Sequence, residues 1–167
     1  QNLGHELRVF TPLDEPLKIW ELKLTNASEN EKYLALTYYV EWVLGDLRPK
    51  TTMHVVTDID PASGALLAWN PYNTEFGERT AFFAVDEMKR TVTGDRREFL
   101  GRNGSLRTPA AMTRTRLSGK VGASLDPCGA IQVNFDLAAG QEREIIFKLG
   151  VGQSLEDART MIHRFHG

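Results

Sequence analysis

The chain has 167 residues, of which 41% are hydrophobic and 25% are charged. This length and composition are typical of one folded domain with its own core, and they exclude a disordered segment. With 20 basic and 22 acidic residues, the net charge of −2 favours neither a nucleic acid nor a membrane surface as partner. The single cysteine, Cys128, cannot form an internal disulfide and is predicted to be a small buried apolar residue.

Short strands are predicted one after another from the N-terminus to residue 93. Side chains alternate across a strand, so hydrophobicity with a period of two predicts a strand that has one apolar face. The even positions from Trp20 to Leu24 and from Leu34 to Leu44 show this pattern. Gly, Pro, Asn and Asp separate the segments, as expected of turns. The predicted strands are residues 7–11, 17–25, 34–44, 53–57, 65–69, 79–85 and 90–93.

Two further strands are predicted near the C-terminus, at residues 131–137 and 143–149. The gap between them, residues 138–141, is short and contains glycine, which predicts a hairpin. Many short strands with frequent turns predict an all-β fold, a two-layer antiparallel β-sandwich. The residues predicted to lie inside it are Trp20, Leu22, Leu36, Tyr38, Val40, Val133, Phe135, Ile145 and Phe147.

Two stretches depart from the strand pattern. Residues 95–118 are rich in Arg and Gly and have no clean period, which predicts a long irregular segment of the kind that is often functional. Residues 154–167 predict a helix, because Ser154 can cap its first turn and Leu155, Ala158, Ile162 and Phe165 share one face. The sandwich is therefore assigned to residues 1–153.

No residue is predicted to be catalytic or to bind a metal. Asp58 and Asp60 lie beside turn signals, where Asp usually forms the turn itself. The histidines lack the spacing of metal ligands. They are His5, His54, His163 and His166.

Tryptophans are the natural partners of sugar rings, because an aromatic face can stack on the apolar face of a pyranose. By strand parity Trp20 and Trp42 belong to the core. Trp69 lies at a strand end beside residues 70–73, so it is the best candidate for exposure, with core packing as the equal alternative.

Four blocks of the chain resemble a known family. They read FTPLDEPLK at residues 10–18, LTN at 24–26 followed by YYVEWVLG at 38–45, GDRREFLGRNGS at 94–105 and LDPCGA at 125–130. In this order they resemble the β-sandwich domain of the inverting glycoside phosphorylases, which include cellobiose phosphorylase. They are most similar to the phosphorylase-like region of the cyclic β-1,2-glucan synthases.

The resemblance implies that this sandwich is part of a galactose-mutarotase-like supersandwich. In the family a helical linker and an (α/α)6 barrel follow, and the barrel holds the catalytic Asp and the phosphate site. We therefore expect a non-catalytic accessory domain, truncated on its N-terminal side, with residues 154–167 as the start of the linker. The parent is expected to be a β-glucan phosphorylase or glycosyltransferase that uses inorganic phosphate as co-substrate. It is expected in the bacterial cytoplasm or at the inner membrane, and no cofactor is expected for this chain.

The resemblance also implies partners. In family dimers the sandwich of one subunit lies close to the active site of the other, so a homodimer, the barrel and a β-glucan oligosaccharide are the expected partners. Residues 95–118 are the candidate for that approach, because guanidinium groups suit sugar hydroxyls and phosphate. The residues expected to bind substrate are Arg97, Arg102, Asn103, Arg107 and Trp69. In the alternative, the loop is solvated and its arginines, Arg96 included, pair with local acids.

Two other classes stay open at this point. A free-standing carbohydrate-binding module would expose a platform of aromatic side chains. An aldose epimerase, whose fold is related, would need His and Glu residues that converge in a cleft. The position of His163 and His166 at the C-terminus counts against the epimerase.

Overall fold

The computed structural model describes residues 2–165, and in this part of the chain nine strands form two antiparallel sheets. The large sheet has the order β1-β2-β9-β6-β5-β4, and the small sheet has the order β3-β8-β7. The predicted all-β, two-layer antiparallel sandwich is confirmed. The strands are β1 Leu3–Phe10, β2 Leu17–Asn26, β3 Lys32–Glu41, β4 Val56–Ile59, β5 Leu66–Trp69, β6 Thr80–Val85, β7 Arg90–Asp95, β8 Pro127–Leu137 and β9 Glu142–Gly152. The helices are α1 Arg48–Thr51, α2 Arg96–Leu100 and α3 Leu155–Arg164, and a 3-10 helix covers Ala110–Thr113.

The main core lies between the two sheets. Tyr38 of the small sheet packs against Trp20, with ring centroids 4.9 Å apart, and against Phe147, at 5.2 Å. All nine residues predicted to lie inside belong to this core. Four of them, Leu22, Leu36, Tyr38 and Val40, are only partly buried, and three of these lie on β3, which is an edge strand.

The predicted hairpin between the last two strands is wrong. β8 pairs with β3 and β7 in the small sheet, whereas β9 pairs with β2 and β6 in the large sheet. The turn at residues 138–141 therefore crosses from one sheet to the other. The physical reason is burial, because in this arrangement the apolar faces of the two strands meet across the core, whereas a hairpin would place them side by side.

A second core covers the outer face of the large sheet. The side chain of Ser154 accepts a hydrogen bond from the backbone N–H of Asp157 and so caps α3, as predicted. Ala158, Met161 and Ile162 of α3 then pack against the sheet. The predicted terminal helix is thus an integral layer of the domain, and the part of the prediction at residues 166–167 lies outside the described residues.

Some strand bounds differ from prediction for local reasons. β3 ends at Glu41, before the predicted Leu44, and Leu44 has a φ of 46°, a left-handed conformation that interrupts an extended strand. β4 begins at Val56 rather than at Met53, because α1 and the turn after it occupy residues 48–54. Cys128 is fully buried, as predicted, and this burial raises the pKa of its thiol.

Candidate functional site

The segment 95–118 is more ordered than its sequence suggests. It contains α2 and the 3-10 helix, which are too short, at five and four residues, to show a helical period. Asp95 caps α2 by accepting a hydrogen bond from the backbone N–H of Arg97 at 3.0 Å. Phe99 and Leu100 are buried in a third cluster, and the ring of Tyr39 stacks on Phe99 at 4.4 Å. The segment is therefore fastened to the outer face of the small sheet.

An ion-pair cluster of two acids and two arginines fixes the start of this segment. Arg96 lies 2.8 Å from Glu41 and 3.4 Å from Asp126. Arg48 lies 3.3 Å from Glu41 and 2.8 Å from Asp126, which closes the cluster. Arg96 thus pairs with local acids, and sequence reasoning missed the cluster because its members are far apart in the chain. The one hint was Glu41, a carboxylate in a largely apolar strand.

The cluster affects the titration of Glu41. Burial alone would raise the pKa of this carboxyl, but hydrogen bonds from Tyr39 and Arg96 outweigh it and lower the pKa. The Tyr39 hydroxyl donates to Glu41 at 2.6 Å. Burial and this hydrogen bond in turn raise the pKa of Tyr39.

A second anchor fixes the far end of the segment. Glu98 of α2 accepts hydrogen bonds from the hydroxyls of Ser118 and Thr93, both at 2.6 Å. It also accepts from the backbone N–H of Ser118 at 2.9 Å and pairs with Arg114 at 3.3 Å. Burial opposes ionisation, but the hydrogen bonds from Ser118 and Thr93 hold the pKa of Glu98 below its usual value.

Between the two anchors lies an exposed loop, residues 101–109, which we call the arginine loop. Gly101 has a φ of 90°, and the backbone N–H of Gly104 donates to its carbonyl at 3.2 Å. A Cβ atom at residue 104 would lie 1.7 Å from the carbonyl oxygen of Leu100, so only glycine fits there. Arg102 and Asn103 occupy the two central positions of this turn, and both are exposed.

The loop presents its guanidinium groups without local partners. Among residues 2–165, no carboxylate lies within 4.0 Å of the guanidinium nitrogens of Arg102 or Arg107. Arg97 is also exposed, and it lines a groove of about 620 Å³ with Asp126, Lys120 and Met53. Arg97, Arg102, Asn103 and Arg107 are thus all exposed on this segment.

Trp69 does not join them. It lies at the end of β5 in the large sheet, is partly buried, and packs against the second core. It lines a small cavity of about 210 Å³ with Leu155 and Arg159 of α3. Sequence analysis left exposure and core packing as equal alternatives for Trp69, and core packing thus buries much of its side chain.

The described histidines lie apart on separate elements. His5 is on β1, His163 is on α3, and His54, which follows α1, stacks on Tyr72 with ring centroids 4.2 Å apart. Across residues 2–165, no group of three or more His, Cys, Asp or Glu side chains could hold a metal ion. Nor is any helix in the same range long and apolar enough to cross a membrane.

Two facing antiparallel sheets with one outer helix define the class of this protein as a β-sandwich module. The chain matches the family model of the glycosyl hydrolase 94 supersandwich domain over residues 1–167, and it belongs to that family.

Three relatives illustrate the range of the family. The chain is 34% identical over 148 residues to cyclic beta-(1,2)-glucan synthase NdvB of Rhizobium meliloti (strain 1021), covering 88% of this chain and 5% of that protein. It is 29% identical over 161 residues to solabiose phosphorylase of Paenibacillus borealis, covering 94% of this chain and 21% of that enzyme. It is 24% identical over 153 residues to N,N'-diacetylchitobiose phosphorylase of Vibrio proteolyticus, covering 87% of this chain and 19% of that enzyme. The chain thus spans about a fifth or less of each relative.

Proposed function

We propose that the chain is a non-catalytic supersandwich domain of an enzyme that phosphorolyses or builds β-linked glucans. We further propose that the arginine loop forms part of the acceptor side of an active site in a neighbouring subunit. The observation that carries this proposal is the contrast within residues 95–118, where both ends are fastened by buried carboxylates and ion pairs while the tip presents unpaired guanidinium groups.

The anchors favour binding because they order the loop in advance. The α2 helix is fixed by Asp95, by the ion-pair cluster around Arg96 and by buried Phe99, so the turn that carries Arg102 begins from a rigid base. A group that is already in place loses less entropy when it binds a ligand. Arg102 would donate paired hydrogen bonds to sugar hydroxyls or to phosphate oxygens.

The free edge of the large sheet suggests where the rest of the parent packs. All eight residues of β1 are exposed, and Leu7 and Val9 lie on the face that β2 turns toward the core, opposite Leu22 and Trp20. Exposed apolar edges are normally covered in a native protein. We propose that further strands of the supersandwich pack against β1, and that residues 154–167 begin the helical linker to the barrel.

The decisive test is Arg102→Ala in the full-length parent, assayed with a β-glucan and inorganic phosphate. Loss of one charged hydrogen-bonding contact is expected to lower kcat/KM by roughly 10- to 150-fold. The matched control is Arg116→Ala, since Arg116 is also exposed but lies outside the arginine loop. Thermal melting of the 167-residue chain should be unchanged by either substitution.

Unchanged kinetics in Arg102→Ala, at both limiting and saturating glucan, would remove the arginine loop from the active site. A large drop in melting temperature would instead make Arg102 a structural residue of the loop. The non-catalytic role is checked in the same assay with the chain alone, which should release no glucose 1-phosphate. Release that is lost in a point variant of the chain would overturn that role.

A further inference from the structure

A second groove lies at the other end of the same outer face. It has a volume of about 730 Å³ and is lined by residues of β3, β7, β8 and β9 and by the loop between β6 and β7. Along β8, Ala130 lies under the third cluster, whereas Asn134 and Asp136 line this groove. Strand residues rise by about 3.3 Å each, so the groove residues from Gln132 to Asp136 lie about 7 to 20 Å along β8 from Ala130.

An exposed aromatic ring stands at the edge of this groove. Tyr33 of β3 is 70% exposed, which is unusual for a tyrosine on a strand of a packed sheet. Its cross-strand partner is Asp136, and the next residue on the same face of β3 is Ala35, whose partner is Asn134. Because Ala35 is small, it leaves space beside the Tyr33 ring, and a flat apolar ligand face can approach there.

The polar groups of the groove are oriented before any ligand arrives. The side-chain nitrogen of Asn134 donates to the carbonyl of Thr115 at 2.9 Å, which leaves its oxygen directed away from that segment. Arg143 is held by Glu87 at 2.8 Å and lies over the ring of Phe135, 4.8 Å from its centroid. Fixed donors and acceptors of this kind determine how a ligand is oriented in a pocket.

The charge of the groove selects the ligand class. Its lining carries three carboxylates and three cations, so their formal charges cancel. A phosphate or a metal ion would need an excess of one sign, whereas a neutral molecule with many hydroxyls can use both donors and acceptors. The volume also falls within the range of about 300–1,000 Å³ that is usual for small-molecule sites. The charged residues are Asp86, Glu87, Asp136, Lys89, Arg90 and Arg143.

We propose that this groove, which we call the Tyr33 groove, is a second carbohydrate-binding site that takes a short β-linked gluco-oligosaccharide. The ring of Tyr33 stacks on the apolar face of one glucose unit, while the side-chain oxygens of Asn134 and Asp136 accept hydrogen bonds from its hydroxyls. The choice of glucose rests on the proposed function, but the site itself rests on the groove. Such a site would hold a glucan chain on the domain away from the acceptor side.

The test is a titration of the 167-residue chain with a β-1,2-linked glucotetraose and with cellotetraose, followed by NMR shifts and calorimetry. Saturable binding of at least one of them is expected, with shifts centred on Tyr33 and Asn134. Tyr33→Ala should weaken this binding about 10-fold or more, whereas Tyr33→Phe, which keeps the ring, should stay within about 3-fold. Tyr72→Ala is the matched control, because Tyr72 is 75% exposed but does not line the groove.

Two outcomes would overturn the site. One is no saturable binding of either tetrasaccharide, and the other is binding that Tyr33→Ala leaves unchanged. The exposure of Tyr33 makes Tyr33→Ala a variant that folds, which thermal melting checks. The titration uses the chain without a catalytic barrel, so its result is independent of the Arg102→Ala kinetics. If Arg102→Ala leaves the kinetics unchanged while the chain still binds a tetrasaccharide in the groove, only the role of the arginine loop is rejected. If Arg102→Ala lowers kcat/KM but the groove binds neither tetrasaccharide, only the groove is rejected.

Discussion

Two strands of the large sheet, β6 and β1, differ completely in the burial of their side chains. Every residue of β6 is buried, and every residue of β1 is exposed. On β6, Phe83 points into the main core and Phe82 points into the second core beneath α3. β1 belongs to the same sheet by full pairing with β2, but none of its side chains belongs to any of the three core clusters.

The difference teaches that pairing and burial are separate matters in this domain. Hydrogen bonds to β2 satisfy one side of the β1 backbone, yet no layer covers either of its faces among the described residues. β6 is covered on both faces, by the small sheet and by α3. The stability of the domain should therefore depend on the layers over β6 and hardly at all on the side chains of β1.

The largest expected effect comes from the core itself. Phe83 is fully buried, so Phe83→Ala should lower the free energy of unfolding by about 3–5 kcal/mol. Leu7 is 52% exposed, so Leu7→Ala should cost less than about 1 kcal/mol. Urea unfolding of both variants measures the contrast. If both variants lowered the free energy of unfolding equally, β1 would contribute to the core in solution, and the contrast between β6 and β1 would be wrong.

A smaller effect is expected where α3 is fastened over β6. The side chain of Asp60 is fully buried and accepts hydrogen bonds from Ser63 and, at 2.9 Å, from Arg159 of α3. Asp60→Asn should therefore lower the free energy of unfolding by about 1.5–3 kcal/mol at neutral pH. Arg116→Gln, a substitution at an exposed residue, should stay within about 0.5 kcal/mol.

The Asp60 effect should depend on pH. Burial alone would raise the pKa of Asp60, but hydrogen bonds from Ser63 and Arg159 outweigh it and hold the pKa below its usual value. A carboxyl with a lowered pKa stabilises the fold above its unfolded pKa of about 3.9, and this contribution is lost as the pH falls through the folded value. The difference between wild type and Asp60→Asn should shrink below about pH 4. A constant difference from pH 7 to about pH 3 would mean that the charge of Asp60 is not its source.

The smallest effect is expected on the small sheet, where α2 covers only part of the outer face. Arg96→Met removes two contacts of the ion-pair cluster and should cost about 1 kcal/mol, because the pairs are partly solvated. Arg102→Met, at the tip of the arginine loop, should change stability by less than about 0.5 kcal/mol. Thermal melting compares the two. If Arg102→Met lost more stability than Arg96→Met, the tip of segment 95–118 rather than the ion-pair cluster would anchor the segment.

Several features of the fold could be predicted because they are local. The period-two pattern of β2 and β8 identified their apolar faces, and Ser154 identified the start of α3. The candidate site was predicted less well. The sequence predicted an irregular segment at residues 95–118 but not the helix α2 within it, and the cluster around Arg96 joins Glu41 and Asp126 from distant parts of the chain.

The sequence by itself determined the strand-rich character, the inward faces of the strands, the terminal helix and the family, because each of these depends on neighbouring residues or on ordered blocks of sequence. Only the tertiary structure decided which sheet each strand joins, and it separated β8 from β9 where the turn predicted a hairpin. It also left β1 exposed although Leu7 and Val9 alternate as they would in a buried strand. The physical reason is that burial is set by the layer that lies across a strand, and that layer comes from residues far away in the chain.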